Sequence, residues 1–295
     1  MQILPFDNRD GVIWLNGKFV EWRHANVHVL NHGLHYASCV FEGLRIYNGK
    51  IFKLDEHTER LFKSAKILDL DIPYNYQEVV DISKEIILKQ NISDGYVRPV
   101  VWRGSAQMGI STKNSDIHVA IAVWDDWASY FKIEDRLEGL RLITSPWKRP
   151  SPESVPFAAK ASGPYYMCTL SKEYAEQKGY HDALMLDYRN YIAEGTGANI
   201  FFIKDNKIDT PIADCFLNGI TRQAVIEMLK NKGFKITEKH ILPEEINNYE
   251  EAFLTGTAAE ITPIKSIDNY KFNTGKNTLS FQFMNDFTQI VNSSI

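Results

Sequence analysis

Two short β-prone runs, Val12-Ile13-Trp14-Leu15 and Lys18-Phe19-Val20, flank Asn16-Gly17. That dipeptide readily accepts positive φ at both central positions of a tight turn, so the pattern predicts a hairpin. Leu44-Arg45-Ile46-Tyr47, Asn48-Gly49 and Lys50-Ile51-Phe52 repeat the device. The apolar period then lengthens. Leu61, Ala65 and Leu68 fall at i, i+4 and i+7, and Val79, Ile82 and Ile86 at i, i+3 and i+7, which predicts two amphipathic helices. Further β-prone runs lie near 96–103 and 117–124, and Ser105 to Ser115 reads as an exposed loop. This part of the chain is expected to be α+β with an antiparallel sheet.

A polar stretch from Tyr130 to Gly139 precedes a new β-like run, Leu140-Arg141-Leu142-Ile143. The pattern thus predicts a smaller N-terminal domain over 1–130, a linker over 131–139 and a larger domain over 140–295. In the larger domain, strands are expected near 182–187, 199–203 and 251–255, with a helix from about Thr221 to Lys232 closed by Gly233. A final helix carries Leu279, Phe283, Phe287 and Ile290 on one stripe.

Composition narrows the class. The 295 residues are 44% hydrophobic and 24% charged, as in ordinary globular proteins, and a chain of this length buries most of its surface without disulfides. The formal net charge of -4 supplies no global field for nucleic acid or an anionic membrane. Cys39, Cys168 and Cys215 form no C-x-x-C pair, which fits a reducing compartment. The start, Met1 to Asp7, lacks the basic and apolar regions of a secretion signal, and no run approaches the roughly 20 apolar residues of a membrane span. The expected location is cytoplasmic.

Two chemical motifs are set aside. His28, His32 and His35 have the spacing of one helical face, but Asn31 and Gly33 weaken a helix there and no carboxylate completes a metal site. Gly195-Thr196-Gly197 begins like a dinucleotide fingerprint, yet Ile200 stands at the third glycine position. No metal is expected. Three other segments carry more. Lys160 lies among small and apolar residues in Phe157-Ala158-Ala159-Lys160-Ala161-Ser162-Gly163, where desolvation favours a neutral, nucleophilic amine; a surface lysine on a loop is the plain alternative. Glu194 precedes a glycine-rich turn and an apolar strand, so if buried it needs a cation such as a pyridinium, or else it caps a turn. Gly219-Ile220-Thr221-Arg222 opens a helix, either as a phosphate site or with Thr221 as a simple N-cap. Leu254 to Thr262 ends a strand in small residues that suit an anion or a tight turn.

In this order, these segments resemble the class IV pyridoxal-phosphate-dependent aminotransferases of fold type IV, most closely the branched-chain amino acid aminotransferases. The resemblance spans nearly the whole chain. It rests on Trp14-Leu15-Asn16-Gly17, His35-Tyr36, Val40-Phe41-Glu42-Gly43, Glu56-His57 with Arg60-Leu61, Tyr96-Val97-Arg98-Pro99, Ala158-Ala159-Lys160, Glu194-Gly195, Gly219-Ile220-Thr221-Arg222 and Gly256 to Pro263. It implies a smaller N-terminal α+β domain, a larger barrel-like α/β domain and pyridoxal 5'-phosphate between them. It implies transamination between branched-chain L-amino acids and 2-oxoglutarate by a homo-oligomer; D-amino-acid aminotransferase and aminodeoxychorismate lyase share the fold.

Carried over, the resemblance makes Lys160 the Schiff-base lysine and proton shuttle, and Glu194 the partner of the pyridine nitrogen. Tyr165 would meet the phenolic oxygen. Arg60, Ile220, Thr221 and Thr257 would hold the phosphate, with Leu217 against the ring. Tyr96 and the Thr257-Ala258-Ala259 amides would take the α-carboxylate. Arg98 and Tyr36 would take the side-chain carboxylate of glutamate, and Phe41, Tyr130 and Ile110 would wall an apolar pocket. Read without the resemblance, Tyr96 and Arg98 alternate by two on one strand face, Arg60 is a helix-surface charge able to pair with Glu56 four residues earlier, and Tyr165 is a core aromatic. Two departures mark the chain: Ala161-Ser162-Gly163-Pro164 before Tyr165, and Ala37-Ser38-Cys39 after Tyr36, where the family more often has a glycine and asparagine and a glycine-threonine-serine run.

Overall fold

A computed structural model describes residues 4–125 and 131–293, which divide into two compact units. Of the described residues, the first holds 4–125 together with Ala159–Gly163, and the second holds the rest. Lys160 therefore packs with the first unit, although it lies far along the chain.

In the first unit the elements are β1 (Val12–Leu15), β2 (Lys18–Glu21), α1 (His32–Tyr36), β3 (Cys39–Phe41), β4 (Leu44–Tyr47), β5 (Lys50–Ile51), α2 (Leu54–Ile67), α3 (Tyr76–Gln90), β6 (Gly95–Arg103) and β7 (Ile117–Trp124). Both expected hairpins form: Leu15 pairs with Lys18 and Tyr47 with Lys50, with positive φ at Asn16, Gly17, Asn48 and Gly49. The sheet runs β2-β1-β7-β6-β4-β5, with β3 also on β6. Helices α2 and α3 bury Leu61, Ala65, Val79 and Ile86 in a core shared with Val97, Val101, Val119 and Ile121. Asn31, unfavourable inside a helix, instead caps α1 by accepting from the Leu34 N–H.

Pro99 sits in the central strand β6, where a residue without an N–H is normally excluded. The structure accommodates it where the partner chain passes from β3 to β4 without a change of register. Val100, Val101 and Trp102 pair with β3, Gly95, Tyr96 and Val97 pair with β4, and Glu42 and Gly43 span the gap. The Glu42 N–H donates to the Pro99 carbonyl at 2.9 Å. Segment 159–163 docks on the far side of β3: the Phe41 N–H donates to the Lys160 carbonyl, and the Ser162 N–H to the Cys39 carbonyl.

The second unit contains α4 (Ile133–Glu138), β8 (Leu140–Arg149), α5 (Tyr165–Gln177), β9 (Asp182–Asp187), β10 (Ile192–Glu194), β11 (Asn199–Lys204), β12 (Lys207–Pro211), α6 (Ile220–Asn231), β13 (Lys235–Lys239), β14 (Glu251–Gly256), β15 (Glu260–Ile267), β16 (Tyr270–Lys271) and α7 (Leu279–Ser293). The stretch 131–139 thus carries a short helix. Strand order β10-β9-β8-β15-β14-β11 closes on itself, because β10 also pairs with β11 through Glu194 and Asn199. This is a barrel with β12 and β13 added outside β11, and closure removes the unpaired edges of its six strands. Its core holds Leu142, Leu184, Ile200, Phe202, Leu254 and Ile264. Helix α5 lacks a strong sequence signature because its buried positions include Cys168, Ser171 and Ala175. No helix among the described residues is long and apolar enough to cross a membrane.

The Asn75–Glu78 capping box at the start of α3 is exposed to solvent, so its energy is separable from core packing. Asn75→Ala is expected to lower stability by about 1 kcal/mol, read as a lower urea midpoint at unchanged slope.

Candidate active site

The first unit gathers its charged groups around Lys160. Small neighbours, Ala159 and Ala161, are buried and hold the segment in the core, while the Lys160 N–H donates to the Ser64 hydroxyl at 2.9 Å. The Lys160 ammonium lies 4.7 Å from the centre of the Phe41 ring. Burial is the main influence on this amine and, with the Arg60 cation, outweighs the pull of Glu42, bringing its pKa down to about 8.

Arg60 is not on a free helix surface. Its Nε and Nη2 donate to the two carboxylate oxygens of Glu42 at 2.6 and 2.9 Å, and Glu56 pairs with Lys53 instead. Glu42 is fully buried and also meets His57 Nδ1 at 2.6 Å. Burial alone would raise the Glu42 pKa, but Arg60 and His57 hold the carboxyl below the usual range. Glu42 and His57 stand in the strings that carry the resemblance but have no role there, because sequence pattern gives no sign that residues 15 and 18 positions apart share one carboxylate.

Tyr96 and Arg98 leave the same face of β6, as their spacing predicts. Arg98 lies 4.8 Å from the Phe41 ring and 5.4 Å from that of Tyr96, and its Nη2 reaches the Tyr96 hydroxyl at 3.5 Å. Gly43 makes room for this: a Cβ there would fall 1.8 Å from the Tyr96 oxygen. Tyr36 ends α1, is half exposed and packs on His32 and His35 rather than beside Arg98. Ile110 is 85% exposed, and Tyr130 lies outside the described residues. His28, His32 and His35 each bond a different backbone group, at Leu30, Gly109 and Val29, so they do not converge on one centre.

In the second unit Glu194 is a buried strand residue at the barrel closure. Its Oε1 lies 3.3 Å from Arg149 Nε, and Asn199 Nδ2 donates to its Oε2 at 3.2 Å. The cation that burial demands is thus present in the chain, so burial by itself does not require a pyridinium. Asn199 also donates to the Leu217 carbonyl and accepts from the Gly219 N–H, tying Glu194 to the start of α6. A Cβ on Gly219 would fall 2.3 Å from Asn199 Oδ1, so glycine is required by this close approach. Thr221 does not cap α6: Gly219 holds the N-cap position with no side-chain cap, and Ile220 and Thr221 occupy the first turn. Thr257, Ala258 and Ala259 form the turn between β14 and β15, braced by the Thr262 hydroxyl on the Ala259 carbonyl. Tyr165 begins α5 and packs on Met167, Cys168 and Met185.

Residues 39–267 match the sequence model of the family described as amino-transferase class IV. The chain belongs to that family. It is 45% identical over 262 residues, 89% of each chain, to a protein of Rickettsia bellii (strain RML369-C) named "Probable branched-chain-amino-acid aminotransferase". It is 41% identical to the branched-chain-amino-acid aminotransferase of Pseudomonas aeruginosa PAO1, covering 91% of this chain and 89% of that one. Among solved structures it is similar to the T.th. branched-chain amino acid aminotransferase complexed with N-(5'-phosphopyridoxyl)-L-glutamate, with a TM-score of 0.91 and 34% identity over 97% of this chain and 96% of that one. The fold type IV architecture and aminotransferase identity follow from these matches.

Competitive acylation of the full chain without added cofactor should give Lys160 a pKa near 8, well below the ordinary lysine value of 10.5. A Lys160 value near 10.5 would contradict the geometry. Because folding lowers this pKa, the stability tied to the amine rises as pH increases from about 8 toward 10.5.

Proposed function

We propose that the chain catalyses transamination between branched-chain L-amino acids and 2-oxoglutarate with pyridoxal 5'-phosphate, yielding branched-chain 2-oxo acids and L-glutamate. The observation that carries this reading is Arg98 lying against the Phe41 ring beside Tyr96. One locus then offers an apolar wall to leucine, isoleucine or valine and a guanidinium to the distal carboxylate of glutamate. The named relatives and the phosphopyridoxyl-glutamate complex of a similar protein support it. The reading includes a homo-oligomer working in the cytoplasm, in keeping with three unbridged cysteines.

The residues fit the cofactor. A partly neutral amine at Lys160 suits a carbonyl, and a glycine-capped helix start with Ile220 and Thr221 in its first turn suits a phosphate. Arg60 and Thr257 would complete the phosphate set, Tyr165 would meet the phenolic oxygen and Leu217 the ring face. When bound, pyridoxal phosphate supplies the electron sink for α C–H ionisation and carries the amino group between half-reactions. Glu194, fixed by Arg149 and Asn199, would hold a proton at the pyridine nitrogen. Lys160 Nζ, neutral above about pH 8, would take the α-proton and return it. Tyr96 and the Thr257-Ala258-Ala259 amides would orient the α-carboxylate, and Phe41 would wall the side-chain pocket.

The chain loaded with pyridoxal 5'-phosphate should convert to the pyridoxamine form with L-leucine, L-isoleucine or L-valine and return with 2-oxoglutarate. Turnover of D-alanine or aminodeoxychorismate in their place would defeat the reading. Lys160→Ala should abolish turnover. Arg98→Ala deletes a charge-assisted contact worth roughly 1.5–3 kcal/mol, so kcat/KM for glutamate should fall about ten- to a hundredfold and that for leucine much less. Equal losses would mean that Arg98 serves the shared α-carboxylate or the strand alone.

A further inference from the structure

Four groups saturate the Glu42 carboxylate: Arg60 Nε and Nη2, His57 Nδ1 and, at 3.3 Å, the Gly43 N–H. Both Arg60 oxygen contacts use one edge of the guanidinium, which fixes its plane and direction. An ionised carboxylate only accepts, so His57 donates from Nδ1. Burial disfavours a charge on His57 and lowers its pKa against the opposing pull of Glu42. The cluster thus holds one anion and one cation in front of Lys160. Among the described residues, the charged and titratable groups that act on Lys160 include Arg60 and His57 from α2, Glu42 between β3 and β4, and Tyr96 and Arg98 from β6.

We propose that Glu42 is a positioning residue with two effects: it clamps Arg60 by one edge so that the guanidinium points in a fixed direction, and it cancels the Arg60 charge beside Lys160. Resting on the cofactor reading above, this makes Glu42 the residue that aims the phosphate-binding arginine while leaving the lysine able to carry a proton. The Glu42 backbone is itself held on the central strand, because its N–H donates to the Pro99 carbonyl. Arg60 and His57 share one face of α2 at i and i+3, so a single carboxylate reaches both.

The charge role and a merely structural role push Lys160 in opposite directions. In Glu42→Gln the Arg60 cation is uncompensated, and the Lys160 pKa from competitive acylation of the full chain without cofactor should drop below its wild-type value. A site that only loosened would admit water and move Lys160 up toward 10.5, so an unchanged or raised value overturns the charge role. The double variant Glu42→Gln/Arg60→Met should bring Lys160 back above the Glu42→Gln value; failure to do so also overturns it. Affinity for pyridoxamine 5'-phosphate, which cannot bond to the lysine, reads the clamp and should fall about tenfold or more in Glu42→Gln. If that variant does not fold, Glu42→Asp decides: it keeps the charge, so Lys160 should stay near 8, but its shorter reach should weaken pyridoxamine 5'-phosphate about tenfold, and unchanged affinity overturns the clamp. Wild-type chain that binds no pyridoxamine 5'-phosphate would defeat the cofactor reading, while the Lys160 titration would still judge the charge role of Glu42.

Discussion

Glu42 is a fully buried carboxylate, and the charged groups of the first unit's core are arranged around it, beside the point on the central strand where Pro99 offers no N–H. With one ladder bond impossible, β3 and β4 still run along β6 in one unbroken register, with Glu42 and Gly43 between them and the Glu42 side chain buried. An isolated carboxylate at that depth would not stay ionised. Arg60 and His57 donate to it, and burial together with the opposed charges of Arg60 and Glu42 then sets the pKa of Lys160. The lysine is also placed by backbone pairing: residues 159–163 add to the free side of β3, so a residue from beyond β8 is held as firmly as a strand residue of the first unit.

The second unit solves an equivalent problem by closure. A barrel must join its first and last strands, and here the joining pair is Glu194 and Asn199. Asn199 divides its amide among three partners: the Glu194 carboxylate, the Leu217 carbonyl and the Gly219 N–H. The strand closure, the acidic residue and the helix start are therefore one hydrogen-bonded assembly, and Gly219 is the residue small enough to enter it. Arg149 completes the assembly as the charge partner of Glu194, at the end of the long strand β8.

The two units share a logic. Each sets a buried carboxylate, Glu42 or Glu194, against an arginine and a second donor, and the resulting hydrogen-bonded group fixes a guanidinium in one case and a helix N-terminus in the other. Burial strengthens these contacts by removing competing water, and it makes each partner costly to remove. Such pairs place donors more accurately than exposed ion pairs, which side-chain entropy and salt weaken.

Local order was legible in the sequence because it depends on neighbouring residues. Asn-Gly at 16–17 and 48–49 forced tight hairpins through positive φ, the three- and four-residue apolar spacing of α2 and α3 set their buried faces, and the alternation of Tyr96 and Arg98 put both on one side of β6. The resemblance also singled out Lys160 and Glu194, whose chemistry follows from residue type and short context. Their partners were not legible. Glu56 stood at helical spacing from Arg60, yet Arg60 turned to Glu42, because a buried carboxylate with no water competes far better for a guanidinium than a solvated one. Glu194 met Arg149, and Lys160 joined the first unit, for the same kind of reason: which charges share a low-dielectric space depends on how distant strands pair, and only the tertiary structure decides that.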